Sequence, residues 1–266
     1  MQHQQTNGQI PAIIELQSID STNNYALSLL NTTRLTERQE TIGHGSCVFA
    51  HEQWAGKGQR GKKWKAEKGQ NIQMSLVLNP LGTVLGQQFL LSATVAVAVR
   101  QFFEKYAQSD IRIKWPNDIY FQDRKAGGIL IENIVSGSTW RWAVVGIGLN
   151  INQADFDPEL PNPVSLRQIT GKNFDCLALA TELRDNILQY FDQWLAEPLS
   201  AERIAALMKI YNEGLYKREE KTRLKKDNRV FEALIKDVTP DGQLWVRHAI
   251  EESYGFGEVE WVIGKP

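Results

Sequence analysis

The chain has little cysteine and little net charge, and each shortage excludes a class of protein. Only Cys47 and Cys176 occur among 266 residues, in separate apolar surroundings, so neither a disulfide framework nor a cysteine metal site is expected. A net charge of −1 provides no global attraction for nucleic acid. The apolar stretch at residues 89–99 is interrupted and too short to cross a bilayer. Since the polar N-terminus also lacks a signal-peptide core, we expect a cytoplasmic protein.

The remaining composition is ordinary for a globular protein, with 42% hydrophobic and 23% charged residues. Apolar periodicity predicts an α+β fold in which helices pack on a sheet that includes an antiparallel meander. Strands are predicted at residues 10–16, Cys47–Ala50, 72–78, 111–115, 128–135 and 140–151. Helices are predicted at residues 21–30, 86–107, Cys176–Leu195 and 200–211.

The pattern changes near Asn212 and Gly214, where the helical periodicity ends. We therefore divide the chain into a disordered tail at residues 1–9, a large unit at 10–213 and a small unit at 214–266. The small unit is predicted to be a β-barrel of short strands. Its strands are predicted at Lys221–Lys226, Arg229–Val238, 243–250 and 257–262, with a turn at residues 239–242.

A glycine-rich basic loop, residues 52–69, is the most informative segment. It joins two strands and carries Lys57, Arg60, Lys62, Lys63 and Lys65, with no acidic residue between positions 52 and 67. Cations on a mobile backbone suit a polyanion such as a triphosphate. Two indoles, Trp54 and Trp64, bracket these cations and can cover an apolar ligand. A solvated hairpin loop is the alternative reading.

Four other segments carry polar groups or glycines at strand and helix ends. They are S-T-N at 21–23, K-W-P-N-D at 114–118, R-K-A-G-G-I-L-I-E at 124–132 and G-I-G-L-N-I-N at 146–152. The glycine pair after Lys125 allows a ligand to approach the backbone, while Gly146, Gly148 and Asn150 share one strand face. Each segment has a structural alternative. Residues 21–23 can cap a helix and residues 114–118 can form a tight turn. Lys125 can be a solvent-facing turn lysine, and residues 146–152 can be a strand thinned for packing.

Together with A-G-K-G-Q-R-G at 55–61, these segments resemble the catalytic domain of biotin protein ligases, in the family's order. The resemblance implies a mixed sheet covered by helices, of the class II synthetase-like type, followed by an SH3-like barrel. It also implies that biotin and ATP give biotinyl-5′-adenylate, with Mg²⁺ accompanying ATP. The biotinyl group then passes to one lysine of a biotin carboxyl carrier protein or domain. The oligomeric state is left open, a homodimer being one alternative.

The resemblance assigns residues to each substrate by family position. The catalytic residue is Lys125, which bridges the biotin carboxylate and the α-phosphate. Biotin is assigned to Ser21, Thr22, Asn23, Gln53, Gly56, Lys57, Gly58, Gln59, Lys125 and Gly128. ATP is assigned to Lys57, Arg60, Lys62, Trp64, Asn117, Asp118 and Asn150. Magnesium is expected near Asp118 or Asn150.

The basic loop departs from the family's usual G-R-G-R-x-G in two places. Lys57 keeps a charge without the bidentate fork of arginine, and Gln59 carries no charge. We hypothesise that this loop retains the adenylate less tightly. No tryptophan lies near residues 163–166, where some members stack one on adenine, so no adenine-stacking residue is assigned.

Two alternatives remain beside the ligase. A lipoate or octanoate ligase or transferase would share the fold and the single lysine, and a non-catalytic module would use the basic loop to bind RNA or protein. Some biotin ligases repress transcription through an N-terminal DNA-binding domain. Only about twenty residues precede Ser21, too few for such a domain, so a monofunctional enzyme that binds no DNA and no membrane is expected.

Overall fold

The computed structural model describes residues 12–36, 42–80, 85–195 and 199–263. The predicted tail at residues 1–9 and the first two positions of the predicted strand at 10–16 lie outside these ranges. No helix within them is long and apolar enough to cross a membrane.

A seven-stranded mixed sheet forms the centre of the large unit. Its strands are β1 (Ile13–Leu16), β2 (Cys47–Ala50), β3 (Asn71–Leu78), β4 (Ile111–Lys114), β5 (Asp118–Phe121), β6 (Arg124–Ser136) and β7 (Thr139–Asn150). They lie in the order β1-β2-β3-β7-β6-β5-β4. The edge strand β1 pairs with β2 in parallel, whereas the other neighbours are antiparallel. The predicted mixed α+β architecture is therefore confirmed.

Five helices accompany this sheet in the described ranges. They are α1 (Thr22–Thr36), α2 (Gln88–Ala107), α3 (Leu166–Thr170), α4 (Cys176–Leu195) and α5 (Ala201–Glu213). Helix α2 is apolar around most of its circumference, and this explains why it is the most buried helix, packed against α4 and α5. Large side chains such as Phe102 and Phe103 complete one continuous core. This core of sheet and helices positions the ends of β3, β6 and β7.

A second, five-stranded antiparallel sheet follows α5. Its strands are β8 (Lys221–Lys226), β9 (Arg229–Val238), β10 (Leu244–Arg247), β11 (Glu251–Tyr254) and β12 (Glu260–Trp261). They lie in the order β11-β10-β9-β8-β12, and β11 and β12 do not pair with each other in the described part of the chain. The closed barrel and the domain boundaries therefore stay predictions.

The second sheet joins the first through hydrogen bonds at the K-W-P-N-D turn and α5. The Trp115 indole N–H donates to the Gly242 carbonyl at 3.0 Å. Asn212 and Val238 exchange hydrogen bonds of 3.0 and 2.8 Å. Gly242 has a φ of +89° and lies against Phe89, so a side chain there would meet both strain and a clash. These contacts bring the tip of the second sheet to the functional site.

Several predicted elements were wrong in extent. Helix α1 continues to Thr36, beyond its predicted end at residue 30. The strand β5 and the short helix α3 were not predicted, because each is only one short apolar run beside turn residues. The strand predicted at 243–250 ends at Arg247, because the His248 backbone N–H donates to the Ile250 carbonyl at 3.0 Å in a turn, and the next strand, β11, begins at Glu251.

Candidate active site

A cavity of about 640 Å³ lies between the first sheet, the basic loop and the tip of the second sheet. All five sequence segments contribute to its wall. The predicted residues that line it are Ser21, Thr22, Asn23, Gln53, Lys57, Gly58, Gln59, Arg60, Lys62, Trp64, Asn117, Asp118, Lys125, Gly128 and Asn150. Residues of all five segments therefore lie around one cavity.

One end of the cavity is a polar floor made by Ser21, Thr22, Asn23 and Gln53, with Ser75 hydrogen-bonded behind it. The Thr22 backbone N–H donates to Gln53 Oε1 at 2.7 Å, and its hydroxyl lies 3.1 Å from the same atom. The Ser75 hydroxyl lies 2.7 Å from Thr22 Oγ1 and 2.5 Å from Asn23 Oδ1. Because Ser21, Thr22 and Asn23 start α1, the helix N-terminus orients them. The floor is a fixed set of neutral donors and acceptors.

Two glycines of β7 make room for this floor and for an aromatic wall. A Cβ at position 146 would lie 2.4 Å from Asn23 Oδ1, and one at position 148 would lie 2.5 Å from the Trp64 indole. Side chains there would push Asn23 and Trp64 out of place. The period-two glycines therefore admit the Asn23 and Trp64 side chains to one strand face.

At the other end lies a lysine–aspartate cluster formed by Lys114, Asp118 and Lys125. Lys125 Nζ lies 2.6 Å from Asp118 Oδ1, and Lys114 Nζ lies 3.6 Å from Asp118 Oδ2. A Cβ at position 128 would come within 3.3 Å of Lys125 Nζ, so Gly128 keeps that side of the lysine open. Burial lowers the pKa of Lys114, and the Asp118 carboxylate opposes that shift. One carboxylate thus balances two ammonium groups.

The basic loop folds back on itself beside the cluster. The backbone N–H of Trp64 donates to the Gly56 carbonyl at 2.9 Å, and the backbone N–H of Gly58 donates to the Lys62 carbonyl at 2.7 Å. Arg60 turns the chain with a φ of 55°. A Cβ at position 56 would lie 2.5 Å from the Trp64 carbonyl oxygen, so the close backbone contact requires glycine. Gly56 shapes the loop from behind and does not line the cavity.

Two asparagines predicted to contact ATP support the backbone of the site. Asn150 Nδ2 lies 3.3 Å from the Lys125 carbonyl and 3.1 Å from the Val164 carbonyl. Asn117 Nδ2 donates to the Ile129 carbonyl at 2.5 Å. Both side chains line the cavity, and both tie its strands together.

Trp54 does not take the position that the sequence indicated. Its side chain is 73% exposed and does not line the cavity, whereas Trp64 does. The reason is local, because residues 51–55 continue from β2 and hydrogen-bond to residues 16–20, which turns Trp54 away. The expectation that both indoles cover a ligand is wrong for Trp54.

The sequence reasoning missed several residues of the cavity wall. Lys114 was noted beside its turn but was given no role. Residues of the second sheet were not considered, since nothing in their local pattern shows where they dock. The second sheet contributes Phe256, Gly257, Val259, Glu260, Trp261 and Ile263.

The site does not offer a ready protein cage for a metal ion. Within the described ranges, no three His, Cys, Asp or Glu side chains converge. The Asp118 carboxylate is already paired with Lys114 and Lys125. These residues do not fit a resident metal site, and no step is derived through a metal. The positions predicted for Mg²⁺, near Asp118 or Asn150, stay predictions.

Comparison with known proteins agrees with this geometry. Residues 16–150 match the family model described as "Biotin/lipoate A/B protein ligase family". A "Biotin--[acetyl-CoA-carboxylase] ligase" of Paracoccus denitrificans is 32% identical over 183 residues, covering 67% of this chain and 70% of the relative. The "Bifunctional ligase/repressor BirA" of Bacillus subtilis is 38% identical over 153 residues, covering 55% of this chain and 47% of the relative.

Solved structures extend the likeness to the second sheet. The biotin protein ligase of Aquifex aeolicus, in complex with biotin and ATP, has a TM-score of 0.73 at 23% identity and covers 95% of this chain and 99% of its own. At that identity the likeness concerns the fold. The matched regions cover 47% and 41% of the first two curated relatives, so the chain spans about half of their length. The family match and the Paracoccus relative together show that the chain belongs to the biotin/lipoate A/B protein ligase family.

Proposed function

We propose that this protein is an ATP-dependent ligase that activates biotin to biotinyl-5′-AMP and transfers biotin to a lysine of a biotin carboxyl carrier domain. The observation that carries the proposal is one cavity with a neutral polar floor at one end and the lysine–aspartate cluster at the other. Such a cavity suits a substrate with a neutral polar head and an anionic tail, and it suits a phosphate donor beside that tail.

The first step joins two anions. A carboxylate oxygen of biotin attacks the α-phosphorus of ATP, the bond between that phosphorus and the bridging oxygen breaks, and pyrophosphate leaves with the electron pair. Charge builds on the phosphoryl oxygens, so fixed ammonium groups lower the barrier. Lys125, which is 2.6 Å from Asp118 and 32% exposed at its side chain, is the cation to which we assign the bridging of the two reactants.

The second step moves the acyl group. The neutral amine of the carrier lysine attacks the acyl carbon, an amide forms, AMP leaves and the amine loses a proton to solvent. Closure of the basic loop over the adenylate would shield it from water until the carrier lysine arrives. Its glycines permit that movement.

The polar floor is the proposed site for the ureido head of biotin. Uncharged donors and acceptors recognise such a group without the cost of burying a net charge. Ser21, Thr22 and Asn23 are each no more than 3% exposed, so they are already desolvated for a ligand. Gln53 is held by Thr22 at 2.7 Å and reaches Gln73 Oε1 at 3.1 Å.

The remaining predicted residues are assigned to the two ligands around the cluster. Lys57, Gly58 and Gln59 are assigned to fold over biotin, with Gly56 shaping the loop behind them and Gly128 beside Lys125. Arg60, Lys62 and Trp64 face ATP from the loop, with Asn117, Asp118 and Asn150 opposite. When bound with ATP, Mg²⁺ would supply further charge neutralisation of the phosphates. We further propose that residues 10–213 form the catalytic domain and that residues 214–266 form an SH3-like barrel.

A second candidate is a lipoate or octanoate ligase or transferase, because the matching family model covers both activities. Lipoate has no ureido head, so the polar floor favours biotin. Pyrophosphate exchange into ATP tests the proposal. We expect exchange that depends on biotin, fails with lipoate or octanoate and falls at least about a hundredfold in Lys125→Ala. Exchange supported by lipoate alone would establish the second candidate.

A further inference from the structure

We propose that Glu132 is a positioning residue that connects the polar floor to the basic loop. It orients Asn23 for the first substrate and holds Lys57 while the cavity is empty. The inference rests on the proposed function, since it assigns the floor to biotin. Glu132 does not line the cavity, but its two oxygens bind two residues that do, Asn23 and Lys57.

One oxygen fixes the amide of Asn23. Asn23 Nδ2 donates to Glu132 Oε2 at 2.7 Å, and Asn23 Oδ1 accepts from the Ser75 hydroxyl at 2.5 Å. The carboxylate fixes the orientation of the amide, because the reverse would place the amide oxygen against the Glu132 carboxylate, which only accepts hydrogen bonds. Asn23 is 3% exposed and lies against Gly146. The second N–H of its amide is therefore presented in a defined direction.

The other oxygen holds the basic loop. Lys57 Nζ lies 3.1 Å from Glu132 Oε1, and the two side chains are 37% and 30% exposed. Lys57 is separated from Glu132 by 75 positions in the chain, and Asn23 by 109. Glu132 lies on β6, whose pairing with β7 is continuous at this point, so its backbone is rigid. The Glu132 carboxylate thus connects the basic loop to the buried start of α1.

This connection has a consequence for ligand entry. An anionic ligand beside the loop would compete with Glu132 for the three N–H donors of the Lys57 ammonium. Glu132 meanwhile keeps its hydrogen bond to the Asn23 amide, so its charge serves both elements. Loss of the Glu132 charge therefore weakens recognition of biotin and releases the loop.

The test begins with Glu132→Gln, which preserves size and removes the charge. We expect the KM for biotin in pyrophosphate exchange to rise about tenfold, with kcat and the KM for ATP changed less than about threefold. Lys57→Met should raise the KM for biotin by a similar factor. In the double variant the KM for biotin should rise by no more than about the larger of the two single-variant factors, because both changes break the same Lys57–Glu132 ion pair.

Trypsin cleavage at the basic residues of the loop reports the second role independently of turnover. Without ligand, Glu132→Gln should be cleaved about threefold faster than the wild type, since the ion pair no longer holds the loop. Lys57→Met should show the same increase from its remaining sites. Glu182→Gln is the matched control, because its carboxylate also takes a lysine at 2.7 Å and a tyrosine hydroxyl at 2.5 Å, away from the cavity.

Three outcomes would overturn the proposal in folded protein with an unchanged melting temperature. They are an unchanged KM for biotin in Glu132→Gln, unchanged loop cleavage, and fully additive losses in the double variant. The proposed function fails separately, because a wild-type protein without biotin-dependent exchange would refute it. In that case the cleavage comparison of Glu132→Gln with wild type still decides whether Glu132 holds the loop.

Discussion

Asp118 is the residue on which the charge balance of the cavity depends. Its two oxygens lie 2.6 Å from Lys125 Nζ and 3.6 Å from Lys114 Nζ. The side chains of Lys114 and Asp118 are only 15% and 17% exposed, so water screens this cluster weakly. Lys114 also lies over the rings of Tyr120 and Trp261, at 5.2 and 5.9 Å from their centres. The carboxylate therefore positions Lys125 and compensates Lys114.

Replacing Asp118 with asparagine should damage both activity and stability. Removing one partner leaves two ammonium groups near each other, so we expect the free energy of unfolding to fall by about 1–3 kcal/mol. Because Lys125 loses its anchor, kcat for pyrophosphate exchange should fall at least about tenfold. Urea unfolding and exchange kinetics measure the two effects. Asp110→Asn is the control, since its ion pair with Arg112 is exposed. Equal behaviour of both variants would contradict the assignment.

Gln59 is the loop residue for which a gain is expected. It lines the cavity at the start of the short 3₁₀ turn Gln59–Gly61 and carries no charge. An arginine there could donate a charge-assisted hydrogen bond to the adenylate. Gln59→Arg should therefore release biotinyl-5′-AMP about tenfold more slowly, as measured by trapping the free adenylate after a single turnover. Equal release rates would refute the hypothesis of weaker retention.

At the scale of elements, the turn between β11 and β12 approaches the basic loop. Gly257 has a φ of +86°, and its missing Cβ would lie 3.4 Å from the Arg60 guanidinium. Phe256 on the same turn lines the cavity and packs edge-on against Trp115, with ring centres 6.4 Å apart. The second sheet is thus a wall of the site, placed where ATP is proposed to bind.

Gly257→Val should impair ATP use while sparing biotin. A branched side chain at positive φ is strained, and here it would also press on Arg60. We expect the KM for ATP to rise at least about threefold, with biotin binding in the absence of ATP unchanged. Gly137→Val is the matched control, because Gly137 has a φ of +60° and nothing within 4 Å of its missing Cβ. Similar kinetic losses in both variants would show that backbone strain alone is responsible.

At the scale of the molecule, the sequence predicted segments better than it predicted contacts. The strands β2 and β3 and the helix α4 lie within a residue of their predicted bounds, because continuous apolar runs mark the two strands and a long apolar periodicity marks the helix. The five site segments converge as the resemblance implied. Glu132 and Phe256 were not assigned roles, since their partners lie far away in the chain and become neighbours only through tertiary packing.

The two cysteines report on the whole fold. Both are buried, and burial raises the pKa of Cys47 to about 12 and of Cys176 to about 11. At pH 8 only about one Cys47 thiol in ten thousand would be ionised, so the native protein should resist thiol reagents. We expect Cys47 to react at the rate of unfolding, as measured by mass spectrometry over a urea series. Stoichiometric reaction of Cys47 in the native protein within minutes would contradict this expectation.

The cavity wall that contains Phe256 to Ile263 follows every other wall segment along the chain. A ribosome therefore releases this wall last, after the polar floor and the lysine–aspartate cluster have already emerged. Domains tend to fold from the N-terminal side during synthesis, so the nascent chain passes through a stage with a formed sheet and an open-sided cavity. Trp115 and the neighbouring apolar surface face water at that stage. Slow translation of the segment from Phe256 to Ile263 would prolong that exposure, and a chaperone that binds aromatic surface would meet the protein there.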